Sequence, residues 1–194
     1  RIVARTLRDH IVAEIQNLQM KDANLEISFK PLDEPTIEGI EFLEFLISPN
    51  RGEPLKSLNK IASGGELSRI MLALKCVFAE KDEIPTLIFD EIDTGISGAV
   101  AQRVGEKMYQ LSCTHQVLCI THLPQIAILS DYHYFVTKNV VDNKTFTSIK
   151  VLKIEEKELE ISKMLSGNNV TEATLNNVKE MIKISEEKKK EIKN

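Results

Sequence analysis

The sequence predicts an α/β fold with a largely parallel sheet and flanking helices. Two short apolar runs, residues 87–89 and 117–120, have the continuous hydrophobicity of strands covered on both faces. Between them, Val100, Val104, Met108 and Leu111 recur at helical spacing. A strand, a helix and a strand in this order form a parallel crossover unit. A further helix is predicted after Gly65. Leu67, Ile70, Met71, Leu74, Val77 and Phe78 share one face, with Arg69 and Lys75 off it.

The other elements follow in chain order. Residues 1–21 read as a helix, with Ile2, Leu7, Ile11, Ile15 and Leu18 forming a stripe and no residue capping its start. Residues 25–30 and 37–48 read as strands. Pro31 and Pro35 make the segment between them a linker in which no helix continues. Residues 49–54, rich in Pro, Asn and Gly, form a loop. Residues 132–138 and 145–152 read as a hairpin around Asp142-Asn143. Two helices, near residues 155–165 and 171–192, finish the chain, and the charge run Glu186-Glu187-Lys188-Lys189-Lys190 reads as a solvated or frayed end.

Composition narrows the class. A chain of 194 residues, 42% hydrophobic and 28% charged, suits one domain with a sizeable core. Its net charge of −4 carries no global basic field of the kind that attracts nucleic acid. Cys76, Cys113 and Cys119 have no metal-ligand spacing and read as plain thiols of a reducing compartment. No stretch approaches the ~20 apolar residues of a membrane span.

Three motifs carry chemistry. Thr86-Leu87-Ile88-Phe89-Asp90-Glu91 is an apolar strand ending in two carboxylates, where parallel sheets place ligands. Strand neighbours point to opposite sides, so the two acids suit different tasks. Asp90 suits Mg²⁺, through water, and Glu91 suits polarising an attacking water. Ser63-Gly64-Gly65-Glu66 opens a helix, whose free N–H groups form an anion site. Equally, Ser63 caps that helix, with Glu66 completing a capping box. Cys119-Ile120-Thr121-His122 is a second apolar strand ending in a histidine, either structural or a hydrogen-bond donor to phosphate.

No G-x-x-x-x-G-K-[ST] loop accompanies them. Lys56-Ser57 and Lys144-Thr145 follow Leu55 and Asn143, where a phosphate loop requires glycine. In order and spacing, the three motifs resemble the C-terminal half of an ABC-type P-loop ATPase head, in the branch with the structural-maintenance-of-chromosomes (SMC) proteins. Residues 44–50, 61–69, 89–98, 116–125 and 131–134 narrow the likeness to the RecN family of bacterial DNA repair proteins.

That resemblance implies roles. Ser63, Gly64, Gly65 and Glu66 belong to the signature loop, which contacts ATP held by the opposite head of a dimer. Asp90 acts on Mg²⁺, Glu91 is the general base and His122 the switch histidine beside the γ-phosphate. The loop from Asp93 through Ser97 to Gly98 couples the two sites. Ala62 stands where many signatures have leucine, and Ser97 where many relatives have aspartate. The resemblance also implies an N-terminal lobe with the Walker A loop, a coiled coil whose returning end is residues 1–21, and a head lobe over residues 22–194. Its implied partners are that lobe, a second head in an ATP-dependent homodimer and DNA, in the bacterial cytoplasm at the nucleoid. The chain alone is then expected to be inactive. Two alternatives stand beside this: a dimerisation or interaction module without hydrolysis, and the head lobe of another SMC-type ATPase.

Overall fold

A computed structural model describes residues 1–61, 63–79, 83–141 and 144–193. The chain divides into two compact units, Arg1–Ile120 and Thr121–Asn194.

The first unit opens with α1 (Ile2–Asn17). Its stripe is buried where it meets the rest of the unit. Ile11 and Ile15 are fully buried and Leu18 nearly so, whereas Ile2 is 85% exposed. Each fully buried aliphatic side chain contributes about 1.5–3 kcal/mol. The helix stops earlier than its sequence pattern suggests, because Gln19 takes a left-handed backbone (φ 71°). α1 packs on α2 (Gly64–Phe78) and on β1 (Asn24–Thr36).

β1 pairs antiparallel with β2 (Gly39–Ser48), which pairs antiparallel with the short β3 (Lys56–Ser57). The predicted proline linker lies inside β1. Pro31 pairs with Glu41, and the register shifts between Pro31 and Thr36. β1 is an edge strand in the order β1-β2-β3, so missing N–H groups leave no central ladder broken. Ile37 and Glu38 form the turn instead of starting the second strand.

The predicted crossover is present. β4 (Thr86–Phe89), α3 (Gly98–Ser112) and β5 (Gln116–Cys119) form a parallel unit with Leu87 opposite Val117 and Phe89 opposite Cys119. Among the described residues, parallel pairing is confined to these two strands. The other two sheets are antiparallel, and the two-residue turn Ile37-Glu38 joins β1 to β2. Val104 and Ala101 of α3 are fully buried. The expectation that both faces of these strands are covered is not met, since Ile88, Leu118 and Ile120 remain 69%, 42% and 62% exposed.

The second unit contains α4 (Pro124–Ala127), β6 (Tyr134–Val141), β7 (Lys144–Val151), α5 (Ile154–Ser166) and α6 (Glu172–Lys193). β6 and β7 form the expected antiparallel hairpin. Asp142 and Asn143, its expected turn, lie outside the described residues. Ile128 and Leu129, just past α4, pack with Ile161 of α5 and Val178 of α6 in one apolar cluster. The charge run near the C-terminus is not a frayed end. α6 continues through it, and Lys189 is only 4% exposed.

Candidate active site

Local sequence builds the start of α2. Ser63 has extended backbone and its Oγ accepts from the Glu66 amide at 3.4 Å, so the cap expected of it forms. Ala62, the departure from the usual signature, lies outside the described residues. Gly64 is exposed and Gly65 buried. Both are tight against the loop that follows β4. A Cβ on Gly64 would stand 2.5 Å from Glu91 Oε2. A Cβ on Gly65 would stand 3.0 Å from Thr94 Cβ, 3.1 Å from the Thr94 carbonyl oxygen and 3.2 Å from that of Glu91. The absent side chains let a helix N-terminus touch the carboxylate loop.

The two carboxylates do not lie on a strand as the sequence suggests. β4 ends at Phe89, so Asp90 and Glu91 are not strand neighbours. Glu91 has φ 56°, a left-handed backbone uncommon outside glycine. That turn sends its side chain to the start of α2, where the helix dipole favours negative charge. Asp90 Oδ1 accepts from the Glu91 amide at 2.9 Å, and the Asp90 carbonyl accepts from Ser68 Oγ at 2.9 Å. Both acids are exposed.

Arg69 was missed by the helical pattern. Instead of facing solvent, it is 8% exposed. Its Nη1 donates to the carbonyls of Thr94 at 2.8 Å and Ile92 at 3.5 Å, tying α2 to the carboxylate loop. Burial pushes its guanidinium below the usual range, partly offset by Glu66. No periodicity signals such a residue, since an arginine in an amphipathic helix normally marks the wet face.

Asp93 is buried within the same loop, and its carbonyl accepts from the Ile96 amide at 3.4 Å. Ser97 is the N-cap residue of α3, with an extended backbone and no side-chain cap bond. Gly95 and Gly98 flank it with φ of 75° and 53°. On β5, burial raises the Cys119 thiol to about 12, with further contributions from Asp93 and Asp90.

His122 belongs to the second unit. It is exposed, in a short turn closed by the Leu123 amide donating to Thr121 Oγ1 at 3.0 Å. Leu123 is the N-cap residue of α4, with Pro124 in the first turn as expected.

The first unit therefore brings together Ser63, Gly64, Gly65 and Glu66 with Asp90, Glu91 and the loop from Asp93. A helix N-terminus beside exposed carboxylates suits a phosphate with its cation. Among the described residues, no group of three His, Cys, Asp or Glu forms a metal cage.

No family model matches the chain. DNA repair protein RecN of Bacillus subtilis strain 168 is 44% identical over 201 residues, covering 96% of this chain and 35% of that protein. RecN of Rickettsia conorii is 42% identical over 181 residues, covering 93% and 33%. The chain belongs to the RecN family. It spans about a third of the length of the curated RecN relatives it matches. The fold agrees with this placement. The Smc head domain with a coiled coil and joint from Pyrococcus yayanosii matches at a TM-score of 0.55 and 20% identity, over 81% of this chain and 28% of that one. A second Smc head, from Pyrococcus furiosus and bound to the C-terminal domain of ScpA, gives 0.52 and 21%, over 82% and 37%. The RecN segment thus has the fold of an SMC head's C-terminal lobe. Among its described residues, no helix is long and apolar enough to cross a membrane.

Proposed function

We propose that this chain is the C-terminal lobe of an ATP-hydrolysing RecN head, acting in recombinational repair of DNA double-strand breaks in the bacterial cytoplasm. The observation that carries this reading is the packing of Gly64 and Gly65 against the Glu91 to Thr94 loop. It makes the signature and the carboxylates one mechanical element, as coupling between two ATP sites requires.

In this reading Asp90 would hold Mg²⁺, and His122 would donate a hydrogen bond to the γ-phosphate. Glu91 accepts a proton from the attacking water. Bound Mg²⁺ supplies positive charge that offsets the phosphate oxygens. Ser63, Gly64, Gly65 and Glu66 hold ATP bound to a second head of a homodimer, and Asp93 and Ser97 belong to the loop that couples the heads. The phosphate loop comes from an N-terminal lobe. The exposed Ile88, Leu118 and Ile120 support that partnership, since an apolar sheet face of this kind needs a cover. Residues 1–21 are the returning end of a coiled coil, and the exposed Ile2 and Val3 support it. DNA is engaged by the assembled protein.

The test is Ser63→Arg in the full-length protein. It is expected to bind one ATP per head and to fail in ATP-driven head dimerisation, read by sedimentation. Normal dimerisation with ATP would contradict the role of the signature across the dimer.

A further inference from the structure

His122 sits in a turn, closed by the Leu123 amide on Thr121 Oγ1 at 3.0 Å, that leads directly into α4. The backbone hydrogen bonds that follow it run in one direction. The Leu123 carbonyl accepts from the amides of Ile126 and Ala127, both at 3.1 Å. The Pro124 carbonyl accepts from Ile128 at 2.9 Å, and that of Ala127 from Ser130 at 3.2 Å. α4 is only four residues long, too short to be stable without tertiary support. Whatever steadies its far end also steadies the histidine turn that runs into its near end.

Two lysines converge on that far end. Lys157 of α5 donates to the Ser130 carbonyl at 2.6 Å and to the Ile128 carbonyl at 3.4 Å. Lys189 of α6 donates to the same Ser130 carbonyl at 3.4 Å. Lys189 is held in turn by Asp131 at 3.0 Å and Glu186 at 2.8 Å, with its side chain 5% exposed. Burying two ammonium groups around one carbonyl oxygen is costly, because each loses hydration and repels the other. Asp131 and Glu186 offset part of that cost. Positive charge at the C-terminal end of a helix is also favourable, since the last carbonyls there lack intrahelical donors. Alongside, Ile128 and Leu129 insert into the α5–α6 apolar cluster.

We propose that Lys157 and Lys189 are positioning residues for His122, acting by clamping the carbonyls that close α4 to α5 and α6. This rests on the reading of His122 as the γ-phosphate donor. A hydrogen bond to a phosphate in the transition state demands placement to well under 1 Å, so a loosened turn costs rate before it costs nucleotide affinity.

The test uses the full-length protein with Lys157→Met, Lys189→Met, the double variant, Lys157→Arg, and Lys163→Met as an α5 control. His122→Ala is measured alongside. The double variant is expected to lose hydrogen-exchange protection over residues 121–130 while other segments keep theirs. Its kcat should fall ~10-fold or more with KM for ATP within about twofold. Lys157→Arg, which keeps a donor, should recover most of the rate, and Lys163→Met should match wild type. Unchanged exchange over 121–130, or wild-type kcat, in the double variant would overturn the proposal. So would loss of protection throughout the protein, which marks a purely structural role. If His122→Ala hydrolyses ATP normally, the reading of His122 fails, and the exchange result alone then judges the clamp.

Discussion

The Arg69 guanidinium donates to the carbonyl of Thr94 across 2.8 Å, fastening the first turns of α2 to the loop that carries Asp90 and Glu91. Arg69→Met keeps the aliphatic stem and removes the donors. It should leave the Thr94 and Ile92 carbonyls without this partner and cost about 1–3 kcal/mol in urea unfolding. A loss below ~0.5 kcal/mol would mean that the tie is solvent-replaceable.

Gly64 and Gly65 should respond differently to alanine. At position 64 the new Cβ meets only the end of the Glu91 side chain, which can swing away. At 65 it meets the Thr94 side chain and two backbone carbonyls, so the loop itself must shift. Gly65→Ala should therefore destabilise by about 1–3 kcal/mol. Gly64→Ala should cost markedly less, and equal losses in the two variants would contradict the close packing at Gly65.

Asp90 and Glu91 should separate kinetically in the full-length protein. Asp90→Asn should weaken Mg-ATP binding. Glu91→Gln should bind ATP normally, hydrolyse it about 10²–10⁴-fold more slowly and accumulate as an ATP-held dimer. Nucleotide affinity and single-turnover rates check this, and near-normal hydrolysis by Glu91→Gln would reverse the assignment.

Lys157 gives a pH signature. Burial first, and then Lys189, lowers its ammonium to about 8, with Glu186 and Asp131 opposing. The unfolded chain then binds more protons than the folded one between about 8 and 10.5, so this group's contribution to stability rises with pH across that window. Conversely, its contribution is lost as pH falls through 8. Lys189 is shifted upward by Glu186 and Asp131 against the effect of burial, so its contribution disappears only at higher pH. The stability of wild type relative to Lys157→Met should therefore increase from pH 8 to 10. A flat difference would place Lys157 in water.

The α2–β4–α3–β5 succession was legible because continuous apolar strands and helical spacing each bury a face, and the Ser63 cap because its chemistry is local. What escaped depends on tertiary context. Pro31 and Pro35 look like breakers until β1 is known to be an edge strand. Arg69 and Lys189 look wet until their carbonyl and carboxylate partners are in place. The left-handed backbone of Glu91 has no sequence marker, since only glycine announces positive φ. Hence the pair Asp90 and Glu91 was found, while the left-handed turn at Glu91 was not.

The central claim is that these residues are half of an ATPase site. The most direct measurement is magnesium-dependent ATP hydrolysis by purified residues 1–194, alone and after joining to the N-terminal part of the full-length protein. Negligible turnover alone, restored in the joined protein and abolished there by Glu91→Gln, is the predicted result. Hydrolysis by residues 1–194 alone, lost on Glu91→Gln, would contradict it.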